Sequence, residues 1–233
     1  MKKTNQKRLL NDVVDIMKNP LEDNYIYYNH DENNMLKGYA LIVGPEDTLY
    51  SNGYYLFEFN YPKDYPYSPP KLKYLTNNGN TRFHPNLYRT GKVCLSILNT
   101  WRGEQWTSCQ TIRTVLLTLV TLFHNKPLLN EPGITEKYKD FKKYNEIIQF
   151  ENYKTAIIGI LQNKVAISYK KMFEPIIIND FKKNKEKIKE KLDKHIQNNK
   201  KKEVKISIYN NMTSLIDYQK MKILLMDCEK DIS

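Results

Sequence analysis

Cysteine is scarce: three occur in 233 residues, Cys94, Cys109 and Cys228, and they lie far apart. An odd, irregularly spaced set argues against a disulfide framework. No CxxC or HxxxH pair exists, so no Cys/His metal site is expected. No apolar run approaches the roughly 20 residues that a membrane span needs. The first residues, MKKTNQKRLLNDVV, lack the apolar stretch of a secretory signal. A reduced, intracellular protein with no membrane partner is expected. Glycine is also sparse, at 8 residues, and forms neither a GxGxxG nor a Walker-type phosphate loop.

Positive charge is plentiful but uneven. The net charge is +11, and residues 182 to 205 hold eleven Lys against four acids, or +7, leaving +4 for the rest. That segment contains no Arg and interleaves few aromatics, so nucleic acid is not expected as its partner. A solvated helix face is the expected reading. The chain suits one domain of about 150 residues plus an appendage, or two small domains. Composition changes near residue 163, which divides the chain into 1–161 and a Lys-rich, mostly helical extension, 162–233.

Along the chain, residues 4 to 18 read as a helix with Thr4 as N-cap and Leu10, Val13, Val14 and Met17 as its apolar stripe. Lys7 and Arg8 fall off that stripe, as a solvated face or a partner-binding one. Four strand-like runs follow: Tyr25–Tyr28, Lys37–Val43, Tyr54–Asn60 and Lys71–Leu75. Short turns between them predict an antiparallel meander. Tyr61 to Lys71 has four Pro in eleven residues and must be a rigid surface loop. Pro69-Pro70 is a candidate cis bond, and Tyr67 is exposed at the loop's centre as a lid or a docking contact.

Thr107 to Asn125 is the strongest helix, capped by Thr107 or Ser108, with Ile112, Val115, Leu116, Leu119, Val120 and Phe123 toward the sheet. Cys109 then falls in its first turn, as a packing residue or a thiol activated by the helix N-terminus. A further helix spans about Thr135 to Leu161. In the extension, Pro175 can open a helix striped by Phe181, Ile188, Leu192 and Ile196. Val204 to Tyr209 is β-like and Ser214 to Asp227 helical. The extension has a modest core of its own.

The stretch Phe83 to Trp106, FHPNLYRTGKVCLSILNTWRGEQW, concentrates the chemistry. Cys94 follows a Gly turn inside an apolar run, as inert packing or as a nucleophile. A cysteine protease would need His84 or His124 within reach, and neither lies in a recognisable nucleophile motif. His84, before Pro85, reads as a loop-fixing residue.

These elements, in this order, resemble a ubiquitin-conjugating (E2) enzyme. The motifs are Tyr65-Pro66 with Pro69-Pro70, His84-Pro85-Asn86, and Cys94 eight residues beyond Asn86. Gly91 to Leu98, Trp101-x-Gly103-x-x-Trp106 and Asn130-Glu131-Pro132-Gly133 are similar to the large enzymes of the E2 Z type, which carry a C-terminal extension. The resemblance covers about residues 4 to 161.

It implies an α+β UBC fold: an N-terminal helix, a four-stranded antiparallel meander, a core helix across the sheet and further C-terminal helices. It implies that Cys94 takes ubiquitin from an E1 enzyme as a thioester and passes it to a substrate lysine, with or without a RING or HECT E3 ligase. Asn86 would order the loop and donate to the oxyanion, Glu131 would orient the amine, and His84 would brace the loop. Tyr67, Lys7 and Arg8 match the face shared by E1 and E3, and Ser108 and Cys109 occupy positions on it. No cofactor is implied, since the upstream E1 consumes the ATP. A cytoplasmic or nuclear location follows, and the Lys-, Asn-, Ile- and Tyr-rich composition suits an AT-rich genome, a virus or a protist. Two alternatives stay open: a ubiquitin- or E3-binding module without transfer activity, and an E2 for a ubiquitin-like modifier.

The sequence also departs from the pattern. Thr107-Ser108-Cys109 follows Trp106 where the family commonly has Ser-Pro-Ala, which puts the E3 repertoire in doubt. Ser96 stands where many members have Asp.

Overall fold

The computed structural model describes residues 2–232. Four strands form one antiparallel sheet in chain order: β1 (Ile26–His30), β2 (Lys37–Val43), β3 (Tyr54–Asn60) and β4 (Lys71–Tyr74). The register sets Leu41 opposite Leu56 and Phe59 opposite Leu72. Helix α1 (Lys3–Lys18) precedes the sheet. Helix α2 (Ile112–Val120), helix α3 (Phe141–Glu151) and a wide π-turned continuation, Asn152–Gly159, follow it. The expected UBC-type order of elements is present.

Sheet side chains alternate, yet both faces of β3 are buried. On one face Tyr55 stacks on Phe123 with centroids 4.4 Å apart. On the other, the Tyr54 hydroxyl donates to Asp180 at 3.0 Å. Asp180 belongs to α4 (Ile167–Asn198), a 32-residue helix of the extension. The extension continues as a hairpin, β5 (Lys202–Lys205) with β6 (Thr213–Ile216), and ends in α5 (Tyr218–Ile232).

The extension does not keep a separate core. Ile177, Phe181, Ile188, Leu192, Ile216 and Leu225 join the same buried cluster as Phe57 and Leu116. Removing such a side chain from water contributes about 1.5–3 kcal/mol each.

Several expected boundaries move, for local reasons. The buried stripe of α1 is Leu9, Val13 and Ile16, while Leu10, Val14 and Met17 are exposed, and Lys2 rather than Thr4 occupies the N-cap position. Helix α2 starts five residues later than expected. Thr111 caps it: its side chain accepts from Thr114 N at 3.3 Å, and Thr114 Oγ1 accepts from Thr111 N at 3.4 Å. It ends at Val120, where Leu122 and Phe123 make tighter bonds three residues back and turn Phe123 into the core. The cis bond is Tyr65–Pro66, not Pro69–Pro70.

In the extension, Pro175 lies inside α4 instead of opening it. The turn ahead of it is pinned by buried Lys170, which donates to Asn163 Oδ1 at 2.9 Å and pairs with Glu174. The expected helix from Ser214 is split. Ser214 and Ile216 alternate inward as β6, and Asp217 caps α5 by accepting from Lys220 N at 3.0 Å. The β-like run ends at Lys205, because Tyr209, Asn210 and Asn211 take successive left-handed conformations.

Candidate active site

The site grows from the end of β4. Gly91, at φ +87°, turns the chain back; a Cβ there would lie 2.9 Å from the Tyr74 carbonyl, so this turn requires glycine. The returning strand carries Cys94 past Asn86. The two residues are joined twice: Cys94 N donates to Asn86 O at 2.9 Å, and Asn86 Nδ2 donates to Cys94 O at 2.6 Å. The loop thereby gains a side-chain crosspiece where no sheet ladder continues.

His84 lies beneath it, fully buried. Its Nδ1 accepts from Asn86 N at 3.0 Å, which leaves the proton on Nε2. Burial, then His124 and Arg82, push this imidazole well below its usual pKa, so it stays neutral. Asn86 Oδ1 meets Asn130 Nδ2 at 3.5 Å, and His124 Nε2 contacts Asn130 Oδ1 at 3.2 Å. Glu131, next in sequence, is half-buried. A polar path therefore runs from Cys94 through Asn86 to Asn130, the residue before Glu131. Cys94 is a free thiol at 2 % exposure.

Behind Cys94, Thr100 Oγ1 accepts from Leu95 N at 3.0 Å, and Asn99 Oδ1 accepts from Trp106 N at 2.9 Å. Trp106 Nε1 donates to Pro66 O at 2.6 Å, tying the Pro-rich loop to the loop after the cysteine. Tyr67 is 74 % exposed on that loop.

Arg8 is not a free solvated cation. It pairs with Asp12 at 2.9 Å and donates to Ser108 O at 2.7 Å and Gln110 O at 2.8 Å. This clamp holds residues 107–111 as a loop, so Ser108 and Cys109 are exposed ahead of α2 and Cys109 is outside its first turn. Lys7 is exposed beside Arg8, and Asn5 Nδ2 reaches Lys63 O at 3.4 Å. The structure brings α1, the Pro-rich loop and loop 107–111 onto one face.

Arg82 and Tyr209 carry no motif, and sequence reasoning missed both. The Arg82 guanidinium lies between the rings of Tyr88, at 3.7 Å, and Tyr209, at 4.3 Å, and donates to Pro85 O. The Tyr209 hydroxyl donates to Glu131 Oε2 at 2.6 Å. No signal in the sequence links residue 209 to residue 131. Among the described residues no cluster of three or more His, Cys, Asp or Glu is placed to hold a metal, and no helix is long and apolar enough to cross a membrane.

A Cys-bearing loop braced by an Asn two residues after a buried His, above a meander sheet and a crossing helix, defines an E2-type catalytic scaffold. A family model described as ubiquitin-conjugating enzyme matches residues 8–156, and the chain belongs to that family.

Among curated relatives, the ubiquitin-conjugating enzyme E2 Z of Danio rerio is 43% identical over 162 residues, covering 68% of this chain and 49% of that protein. The Homo sapiens E2 Z is 42% identical over 160 residues, covering 67% and 45%. A ubiquitin-conjugating enzyme E2 of African swine fever virus is 34% identical over 149 residues, covering 62% and 65%. The chain spans about half the length of the E2 Z relatives it matches.

Proposed function

We propose that this chain is an active E2 that accepts ubiquitin from an E1 enzyme on Cys94 and transfers it to a lysine amine. The observation that carries this reading is the double link between Asn86 and Cys94. It places an amide with a second N–H to spare beside the residue whose sulfur would carry the thioester.

The chemistry suits the residues. An ordinary thiol, pKa about 8.5, is a few per cent thiolate near neutral pH and exchanges thioesters without a dedicated base. A lysine amine is harder to use, since deprotonation at pH 7 costs about 4.6 kcal/mol. In transfer, the amine nitrogen bonds to the thioester carbon and the C–S bond breaks, leaving its electron pair on Cys94. The nitrogen's proton passes through Glu131 to solvent. Asn86 steadies the oxyanion as a neutral donor, and His84 holds the loop. Tyr67, Ser108, Cys109 and Lys7 form the partner face for E1 and for RING or HECT ligases. Arg8 serves that face indirectly, by holding residues 107–111.

With E1, ATP and ubiquitin, wild type should form an adduct that reductant removes, and Cys94→Ser an oxyester that reductant leaves intact. No adduct with any of several E1 enzymes would reject the reading. Replacing ubiquitin by its relatives in the same assay identifies the modifier.

A further inference from the structure

The extension reaches the Glu131 carboxylate through Tyr209. The tip of the β5–β6 hairpin, residues 206–212, is fastened to the core. Asp140, at the start of α3, accepts from Ser207 N at 2.9 Å, Ser207 Oγ at 2.8 Å and Ile208 N at 3.2 Å. Burial raises the pKa of this carboxylate, but these bonds outweigh it, and the net shift is downward. Met212 is buried beside Arg82 N.

Between these anchors Tyr209 sits at φ 58°, ψ 48°, a conformation that costs a non-glycine residue about 1–2 kcal/mol. Such strain persists where surrounding contacts over-determine it. Those contacts are specific: the ring lies over Arg82, meets Tyr144 edge-on at 5.9 Å, and aims its hydroxyl at Glu131 Oε2. Among the described residues, Tyr209 is the only hydrogen-bond partner of the Glu131 carboxylate, and it occupies one oxygen. Burial, Tyr144 and Glu131 itself raise the Tyr209 pKa, so its hydroxyl stays protonated and keeps donating.

We propose that Tyr209 is a positioning residue for the aminolysis step, which fixes Glu131 through one carboxylate oxygen and leaves the other free for the incoming lysine amine. Resting on the E2 reading above, this makes the extension a working part of the site. Tyr144 from α3 and Tyr209 from the hairpin face Glu131, and Arg82, from the loop before His84, faces both tyrosines.

The test uses the full chain. Tyr209→Phe keeps the ring over Arg82 and removes only the donor. Cys94 is charged with ubiquitin, E1 is quenched, and discharge to free lysine is followed across lysine concentration. The expected result is normal charging and discharge slowed about three- to tenfold at saturating lysine. Tyr209→Phe added to Glu131→Gln should slow discharge no further than Glu131→Gln alone.

A Tyr209→Phe enzyme with wild-type discharge rate overturns the proposal, as does an additive double variant. A wild-type chain that never charges overturns the E2 reading instead.

Discussion

The Cys94-bearing stretch Phe83–Trp106 and the hairpin tip 206–212 both contain left-handed backbone, but they hold it by different means. In the first, positive φ falls on Gly91, Asn99 and Gly103, residues that tolerate it, and Asn99 accepts from Trp106 N seven residues away. In the second it falls on Tyr209, Asn210 and Asn211 in succession. That tip is held chiefly by Asp140, Glu131 and Arg82, all distant in sequence. The catalytic loop is thus written locally, whereas the hairpin tip takes its shape from the core on which it docks.

The comparison breaks most directly at Asp140. Asp140→Ala removes three hydrogen bonds to a carboxylate and should lower the unfolding free energy by about 2–3 kcal/mol in urea titration. Amide exchange should accelerate at residues 206–212 far more than at 84–95; equal acceleration in both would mean that the tip is not separately anchored. A smaller loss, about 1–2 kcal/mol, is expected for Arg8→Ala, which frees the carbonyls of Ser108 and Gln110 and strips buried Asp12 of its ion pair. Its sign in function is a weaker E1- or E3-dependent rate with Cys94 chemistry intact, read by discharge to free lysine.

Acid tests the loop around His84, with half-buried His30 and His195 adding to the same slope. An unfolded imidazole titrates near 6.5, and burial holds folded His84 well below that. Below pH 6.5 the unfolded chain therefore binds a proton that folded His84 refuses. Stability should be flat in this term above about pH 7 and fall by at most about 1.4 kcal/mol per pH unit below 6.5. His84→Asn should flatten part of that slope in pH-dependent melting; an unchanged slope would contradict a neutral His84. The smallest effect is expected at Lys222→Ala, which breaks a half-exposed surface pair with Asp193 and should cost under about 0.5 kcal/mol.

How much was legible follows the same division. The meander, the His84–Asn86–Cys94 spacing and the Gly91 turn are short-range features, so sequence pattern and structure agree on them. The start of α2 was missed because Ser108 resembles a cap, while the capping pair is Thr111 with Thr114 and Arg8 has taken the carbonyls upstream. The burial of both sheet faces was illegible, because α4 supplies the cover from more than a hundred residues away. Tyr209 looked like the end of a strand; only folding brings it to Glu131.

The most direct test is the intact mass of the full chain after incubation with E1, ATP and ubiquitin. The account predicts a gain of one ubiquitin less one water, reversed by thiol and absent in Cys94→Ala. A wild-type mass that never changes with any E1 and modifier tried, or an adduct that survives in Cys94→Ala, would contradict it.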